Sequence, residues 1–219
     1  MDDASLLRKS ELFQAFEPDD MARIVGEASR HGLPRGGVVF DEGEPADRMF
    51  VVRSGRVAIS KRSPDGKESI VALMEPGDLF GEMSLFDGEH RSAGARALEP
   101  SELVVVPYAP LTSVLGERPT LLWPMVALLC RRMRITDAAL ADSLFLDVTG
   151  RTAKRLLELA GGQDEFALPI TQEELAGMVG ASRERVNKAL AQFMRLGWLA
   201  VNDRRYRILK RDDLVRRAR

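Results

Sequence analysis

The chain has 219 residues, 30% of them charged, a net charge of −1 and one cysteine, Cys130. One cysteine excludes an intramolecular disulfide framework and an iron–sulfur cluster held by a single chain. No apolar run is long enough for a membrane span, since residues 121–130 are broken by Pro124 and followed by Arg131, Arg132 and Arg134. Nothing has the make-up of a signal peptide, so a cytoplasmic protein without a membrane partner is expected. The small net charge hides an asymmetry. From Gly150 onward there are 15 Lys and Arg against 9 Asp and Glu, or +6; before it there are 17 against 24, or −7. A basic second part suits an anion such as DNA.

In chain order, residues 5–29 read as short amphipathic helices carrying Leu6, Leu7, Leu12, Phe13, Phe16, Met21, Ile24 and Val25. From Leu33 the signal changes to short β-rich runs at 38–40, 49–52, 57–60, 69–74 and 103–106. Turn clusters separate them: Glu42-Gly43-Glu44-Pro45, Ser54-Gly55, Pro64-Asp65-Gly66, Pro76-Gly77-Asp78 and Asp87-Gly88. Short strands at near-regular spacing predict a small barrel or roll with a narrow interior and ligand-gripping turns. Pro107 and Pro110 end the last strand.

Residues 119–145 then form a long helix. Leu122, Val126, Leu129, Met133, Thr136, Leu140 and Ser143 recur at spacings of four and three, the seam of two helices lying together. A lone amphipathic helix packed on its own domain gives the same periodicity. Polar Thr136 favours the seam, because such a residue fixes register or faces something polar between the helices. The helix is read as a homodimer interface, with a ligand contact at Thr136 and its neighbour Asp137. Pro119 suits its first turn, and Pro124 marks a kink or a later start.

Asp147 is placed to cap the next helix, and 161–164 form a loop. Thr171 to Glu174 read as a capping box, Gly180-Ala181 as a turn, and Ser182 as the cap of a second helix running to about Leu196. A hairpin at 198–201 and 206–209 follows. Helix, short glycine turn, helix and hairpin make a winged helix-turn-helix, with Ala176 at the crossing and Leu175, Val186 and Leu190 buried. A plain helical hairpin shares the pattern. The start of the second helix, Arg183, Glu184, Arg185, Asn187 and Lys188, sits where base edges are read. Ser182, Lys154, Arg204 and Arg205 suit phosphate contacts.

The richest stretch of the front part runs from Pro76 to Phe86 and is followed by Arg91-Ser92-Ala93. Gly81 lets backbone approach a ligand, and a helical turn starting at Glu82 aims N–H groups at an anion. Arg91 adds a charge for a phosphate and Ser92 a donor. Glu82 repels phosphate, so it fits a ligand that also offers a sugar hydroxyl. The set points to a nucleotide of low net charge such as a cyclic monophosphate; an ordinary β-turn with surface charges is the alternative.

Phe80-Gly81-Glu82-Met83-Ser84 with Arg91-Ser92-Ala93 resembles the phosphate-binding cassette of cyclic-nucleotide-binding domains. Residues 145–151 resemble the hinge, and Ser182-Arg183-Glu184 through Lys188 the recognition helix, of the cyclic-AMP receptor protein branch of the Crp/Fnr superfamily. The resemblance covers essentially the whole chain. It implies an α+β architecture: a β-roll (jelly-roll) sensor at 1–118, a central dimerisation helix at 119–145 and a winged helix-turn-helix at 146–219. It further implies a homodimeric, non-enzymatic transcription regulator that takes cyclic AMP as effector, binds palindromic double-stranded DNA and works with RNA polymerase. The implied nucleotide site is Gly81, Glu82, Met83, Ser84, Arg91, Ser92, Arg132, Thr136 and Asp137. Glu82 would meet the ribose 2′-hydroxyl, Arg91 and Ser92 the cyclic phosphate, and Thr136 the adenine. Asp137 would reach the nucleotide of the partner subunit. The implied DNA contacts are Thr171, Ser182, Arg183, Glu184, Arg185, Asn187 and Lys188, with Arg183, Glu184 and Lys188 reading bases.

Three positions depart from the family pattern. Asp137 replaces a neutral serine or asparagine and suits the N–H groups of guanine, which keeps cyclic GMP open. Lys188 replaces an arginine, turning a bidentate contact into a single one. Gln172 replaces a basic phosphate contact. DNA binding without ligand, or a nucleotide module acting on a non-DNA partner, are the alternatives. Haem would have only His31, His90 and Cys130 for ligands; the histidines, beside turns, are expected in solvent and the cysteine in packing. No phosphate-binding loop, dinucleotide fingerprint or metal-spaced His/Cys set suggests an enzyme, a metal or another cofactor.

Overall fold

The computed structural model describes residues 2–64, 66, 68–168, 170–202 and 205–219. The expected turn at Asp65 and the hairpin tip at Asp203-Arg204, including the Arg204 phosphate contact, lie outside the described residues. The fold is α+β, and the chain forms two compact units. One takes residues up to 66 and 71–133, the other 68–70 and 134–219. The division falls between Met133 and Arg134, within the long helix.

Three short helices open the first unit, α1 (Asp3–Leu7), α2 (Glu11–Gln14) and α3 (Pro18–Glu27). Pro18 starts α3, where its missing N–H costs nothing, and the Asp20 carboxylate accepts from the Glu17 N–H at 3.3 Å. Eight strands follow: β1 (Ser29–Leu33), β2 (Val38–Phe40), β3 (Arg48–Ser54), β4 (Val57–Arg62), β5 (Glu68–Met74), β6 (Leu79–Phe80), β7 (Gly94–Ala97) and β8 (Ser101–Pro107). They form two four-stranded sheets, ordered β1-β8-β3-β6 and β2-β7-β4-β5. A short helix, α4 (Met83–Asp87), interrupts them before β7, and α5 (Tyr108–Glu117) follows β8.

The continuous apolar runs in β3 and β8 have a simple cause. Met49 and Val51 of β3, with Val104 and Val106 of β8, pack against a core of Leu6, Leu12, Phe13, Ile24, Leu111 and Val114 from the helices. Their neighbours Phe50, Val52, Leu103 and Val105 point the other way, into a roll interior with Phe40, Val57 and Phe80. Strands covered on both faces lose the polar alternation of a half-exposed sheet. Each fully buried side chain of this size contributes roughly 1.5–3 kcal/mol.

The long helix α6 spans Leu122–Phe145. Pro119 opens a 3-10 turn, Pro119–Leu121, ahead of it. Pro124 therefore sits within the first turn of α6, where a missing N–H is tolerated; of the two readings of Pro124, the later start holds. Met125 is buried in the sensor core, while Val126, Met133 and Leu140 of the seam are 45%, 59% and 59% exposed. Two expectations are corrected. Cys130 is exposed rather than packed, because the helix face that carries it turns from the core. His31 lies within β1, paired with Leu103, rather than beside a turn, although it is exposed as expected.

The second unit continues with α7 (Val148–Ala160), β9 (Glu165–Ala167), α8 (Gln172–Val179), α9 (Arg183–Arg195), β10 (Leu199–Asn202), β11 (Arg205–Ile208) and α10 (Arg211–Arg217). Asp147 caps α7 by accepting from the Gly150 N–H at 2.8 Å. The wing is a three-stranded sheet, β10-β11-β9, with Val201 opposite Tyr206. No helix among the described residues is long and apolar enough to cross a membrane.

Candidate functional site

Two sites are built separately, one in each unit. The sensor site lies where β6 runs into α4. Glu82 occupies the N-cap of α4 but makes no capping bond, and it is fully buried. Its Oε1 pairs with the Arg132 guanidinium of α6, which also donates to the Leu79 carbonyl. Its Oε2 has no hydrogen-bond partner among the described residues. A carboxylate held at zero exposure with one oxygen unsatisfied is costly unless something donates to it.

Arg91 is also buried, at 5% exposure. It donates from Nη1 to the Gly81 carbonyl at 2.7 Å and to the Tyr108 hydroxyl at 3.2 Å, and from Nη2 to the Arg48 carbonyl at 2.7 Å. Its Cζ sits 4.2 Å from the centre of the Phe40 ring, a cation–π contact, and its Nε finds no partner among the described residues. Gly81 has φ of 76°, and a Cβ there would come within 2.7 Å of Arg91 Nη1. The glycine thus makes room for Arg91. Burial pushes the Tyr108 phenol up, against the charge of Arg91 and hydrogen bonds with Ser84 and Arg91.

The remaining sensor candidates fall in two groups. Ser84 is buried, whereas Met83 and Ser92 are exposed, with the Ser92 hydroxyl 3.5 Å from the Met83 sulfur. Thr136 and Asp137 lie on exposed turns of α6, in the second unit. Sequence reasoning missed Tyr108, Phe40 and the Arg48 carbonyl. Tyr108 had a usable signal: a tyrosine closing an apolar strand buries its ring and needs a partner for its hydroxyl.

The reading head is built on caps. Thr171 Oγ1 accepts from the Glu174 N–H at 3.2 Å, and Glu174 returns a bond to the Thr171 N–H at 2.7 Å, fixing the start of α8. Gly180, at φ of 67°, makes the turn, and Ser182 caps α9 by accepting from the Arg185 N–H at 3.4 Å. Ala176, Leu175, Val186 and Leu190 are buried as the helix-turn-helix requires. Arg183, Glu184, Arg185 and Lys188 are exposed together at the start of α9. Lys188 bridges Glu184 at 2.9 Å, and this hydrogen bond holds the Glu184 carboxyl below its ordinary value.

Two members of the expected DNA set sit differently. Asn187 is half-buried, with its Oδ1 enclosed and unpartnered among the described residues, so its amide is turned toward the protein. Lys154, read as a phosphate contact, bonds Asp142 at 2.7 Å and is half-buried. Arg205 is exposed beside the wing tip.

A β-roll sensor joined to a winged helix-turn-helix defines a regulator that carries its effector site and its DNA reader on one chain. Residues 30–118 match the family of cyclic nucleotide-binding domains, and residues 150–217 the Crp-like helix-turn-helix domain. The chain belongs to the Crp/Fnr superfamily of transcription regulators, in the cyclic-AMP receptor protein branch. It is 41% identical over 221 residues to the CRP-like cAMP-activated global transcriptional regulator of Mycobacterium tuberculosis, covering 98% of this chain and 99% of that one. It is 34% identical to the cAMP-activated global transcriptional regulator CRP of Escherichia coli O157:H7, over 73% of this chain and 80% of that one. The catabolite activator protein of Thermus thermophilus superposes with a TM-score of 0.54, at 30% identity, covering 95% and 98% of the two chains. These relatives are regulators rather than enzymes, in keeping with the motifs absent from the sequence.

Proposed function

We propose that this chain is a homodimeric, cyclic-AMP-responsive regulator that binds palindromic DNA and acts on transcription with RNA polymerase in the cytoplasm. The observation that carries the sensor half is Glu82, fully buried with Oε2 lacking a partner among the described residues. A ribose hydroxyl is a donor of the kind this oxygen lacks, while the unpartnered Nε of nearby Arg91 suits a singly charged cyclic phosphate. The named activity of the Mycobacterium tuberculosis relative supports cyclic AMP as the nucleotide.

Residues on α6 advance by about 100° each. Thr136, itself a seam residue, and its neighbour Asp137 thus point about 100° apart around the helix. The family resemblance supports Thr136 as a contact to the adenine and Asp137 as a contact to the nucleotide of the partner subunit. In the reader, exposed Arg183, Glu184 and Lys188 address bases, while Ser182 and Arg205 address phosphates. Ligand acts by shifting a population of dimers toward one whose two recognition helices are about 34 Å apart.

DNA binding to a palindromic site at fixed salt, with no nucleotide, cyclic AMP or cyclic GMP, tests this reading. Cyclic AMP should tighten binding by roughly 5- to 150-fold. Tightening by cyclic GMP alone would make Asp137 the residue that selects guanine. Equal affinity under all three conditions would remove the nucleotide from the switch.

A further inference from the structure

Arg91 has five N–H bonds and makes three hydrogen bonds among the described residues. Nη1 donates to the Gly81 carbonyl and to the Tyr108 hydroxyl, and Nη2 donates to the Arg48 carbonyl. The Tyr108 hydroxyl in turn donates to the Gly81 carbonyl, closing a three-membered network of Arg91, Tyr108 and Gly81. Phe40 blocks one face of the guanidinium plane. Among the described residues Nε has no partner, so the edge formed by Nε and Nη2 is the one open to a ligand.

We infer that Tyr108 is a positioning residue for ligand recognition: its hydroxyl holds Arg91 so that only the Nε/Nη2 edge is offered to the two free oxygens of a cyclic phosphodiester. Its situation suits that role. The Tyr108 ring is 8% exposed and packs in the helical core with Leu111 and Val114, so the phenol cannot swing away. The Arg91 guanidinium donates to it at 3.2 Å, which places the hydroxyl beside the charge of the pocket. Without the hydroxyl, Nη1 loses an acceptor and the Gly81 carbonyl a donor. The guanidinium then gains freedom to turn about Cδ–Nε, and a fixed two-point contact with phosphate is lost.

The inference rests on the cyclic-nucleotide reading of this pocket. Its test uses Tyr108→Phe in the full-length chain, which keeps the ring and its packing. Calorimetric titration with cyclic AMP and with the two diastereomers of its phosphorothioate, each placing sulfur on one free phosphate oxygen, reads the geometry of the contact. The wild type should bind cyclic AMP and distinguish the diastereomers. Tyr108→Phe should bind cyclic AMP about tenfold more weakly and lose most of the discrimination, with its thermal midpoint nearly unchanged. Cyclic AMP affinity within about twofold of wild type would overturn the assignment. So would an equal weakening toward both diastereomers, which is what a merely structural hydroxyl gives. A wild type that binds no cyclic AMP would overturn the reading of the pocket itself, a separate result.

Discussion

The two candidate sites handle charge in opposite ways. In the sensor, Glu82 and Arg91 are buried, and part of their hydrogen-bonding capacity is spent on Arg132, Tyr108 and backbone carbonyls. In the reader, Arg183, Arg185 and Lys188 are exposed, with the Lys188–Glu184 pair 77% exposed on both sides. A buried charge is expensive, so it must be oriented in advance, and whatever it leaves unsatisfied specifies the ligand. An exposed charge costs little and specifies only when a surface meets it. On the proposed reading, the sensor discriminates by what its buried charges leave unsatisfied, and the reader by what is presented outside.

This contrast predicts that the largest effect on stability comes from breaking the buried pair. Arg132→Ala would leave Glu82 at zero exposure without its cation and the Leu79 carbonyl without this donor. The expected loss is about 3 kcal/mol of unfolding free energy, measured by urea denaturation of the full chain. A loss below about 0.5 kcal/mol would mean that another group compensates Glu82, and the contrast between the sites would weaken.

Arg183→Ala should do the reverse, leaving stability alone and changing recognition. Its side chain is exposed and starts α9 without entering the core. On a palindromic site, discrimination against one base pair per half-site should fall by about 1–3 kcal/mol. A uniform weakening on every sequence would instead mark Arg183 as a phosphate contact.

How much of this was legible in the sequence differs between the sites for the same reason. Strand runs of Val, Ile and Phe marked β2, β3, β4, β5 and β8, and Thr171, Gly180 and Ser182 marked the helix-turn-helix, because both signals are local. Strands β1, β6, β7 and β9 were missed: Ser-Arg-His-Gly-Leu, Gly-Ala-Arg-Ala and Glu-Phe-Ala carry little β propensity, β6 is only Leu79–Phe80, and their pairing partners, not their composition, make them strands. Helix α10 was missed as a short, charged segment. At the site, the oddity of Glu82 was visible in the sequence, since a carboxylate in an anion cassette needs a reason. The inward lock on Arg91 was not. Two of its acceptors are backbone carbonyls, of Gly81 and Arg48, which no side-chain pattern announces.

The smallest effect concerns the junction between α6 and α7. The Asp147 carboxyl is held below its ordinary value, first by the Gly150 N–H and then, against a small burial cost, by Arg217 of the C-terminal helix. A carboxylate depressed in the folded state adds stability that is present above the unfolded-state value and lost as pH falls through the folded one. Asp147→Asn keeps a side chain able to cap but removes the charge. The wild type should therefore melt slightly higher than Asp147→Asn at pH 7, and the gap should close below about pH 4. The gap should be modest, because the Asp147 side chain is 64% exposed and its pair with Arg217 is screened by water. A gap that persists at low pH would assign the difference to capping geometry and leave Arg217 no electrostatic part in fastening α10 to the start of α7.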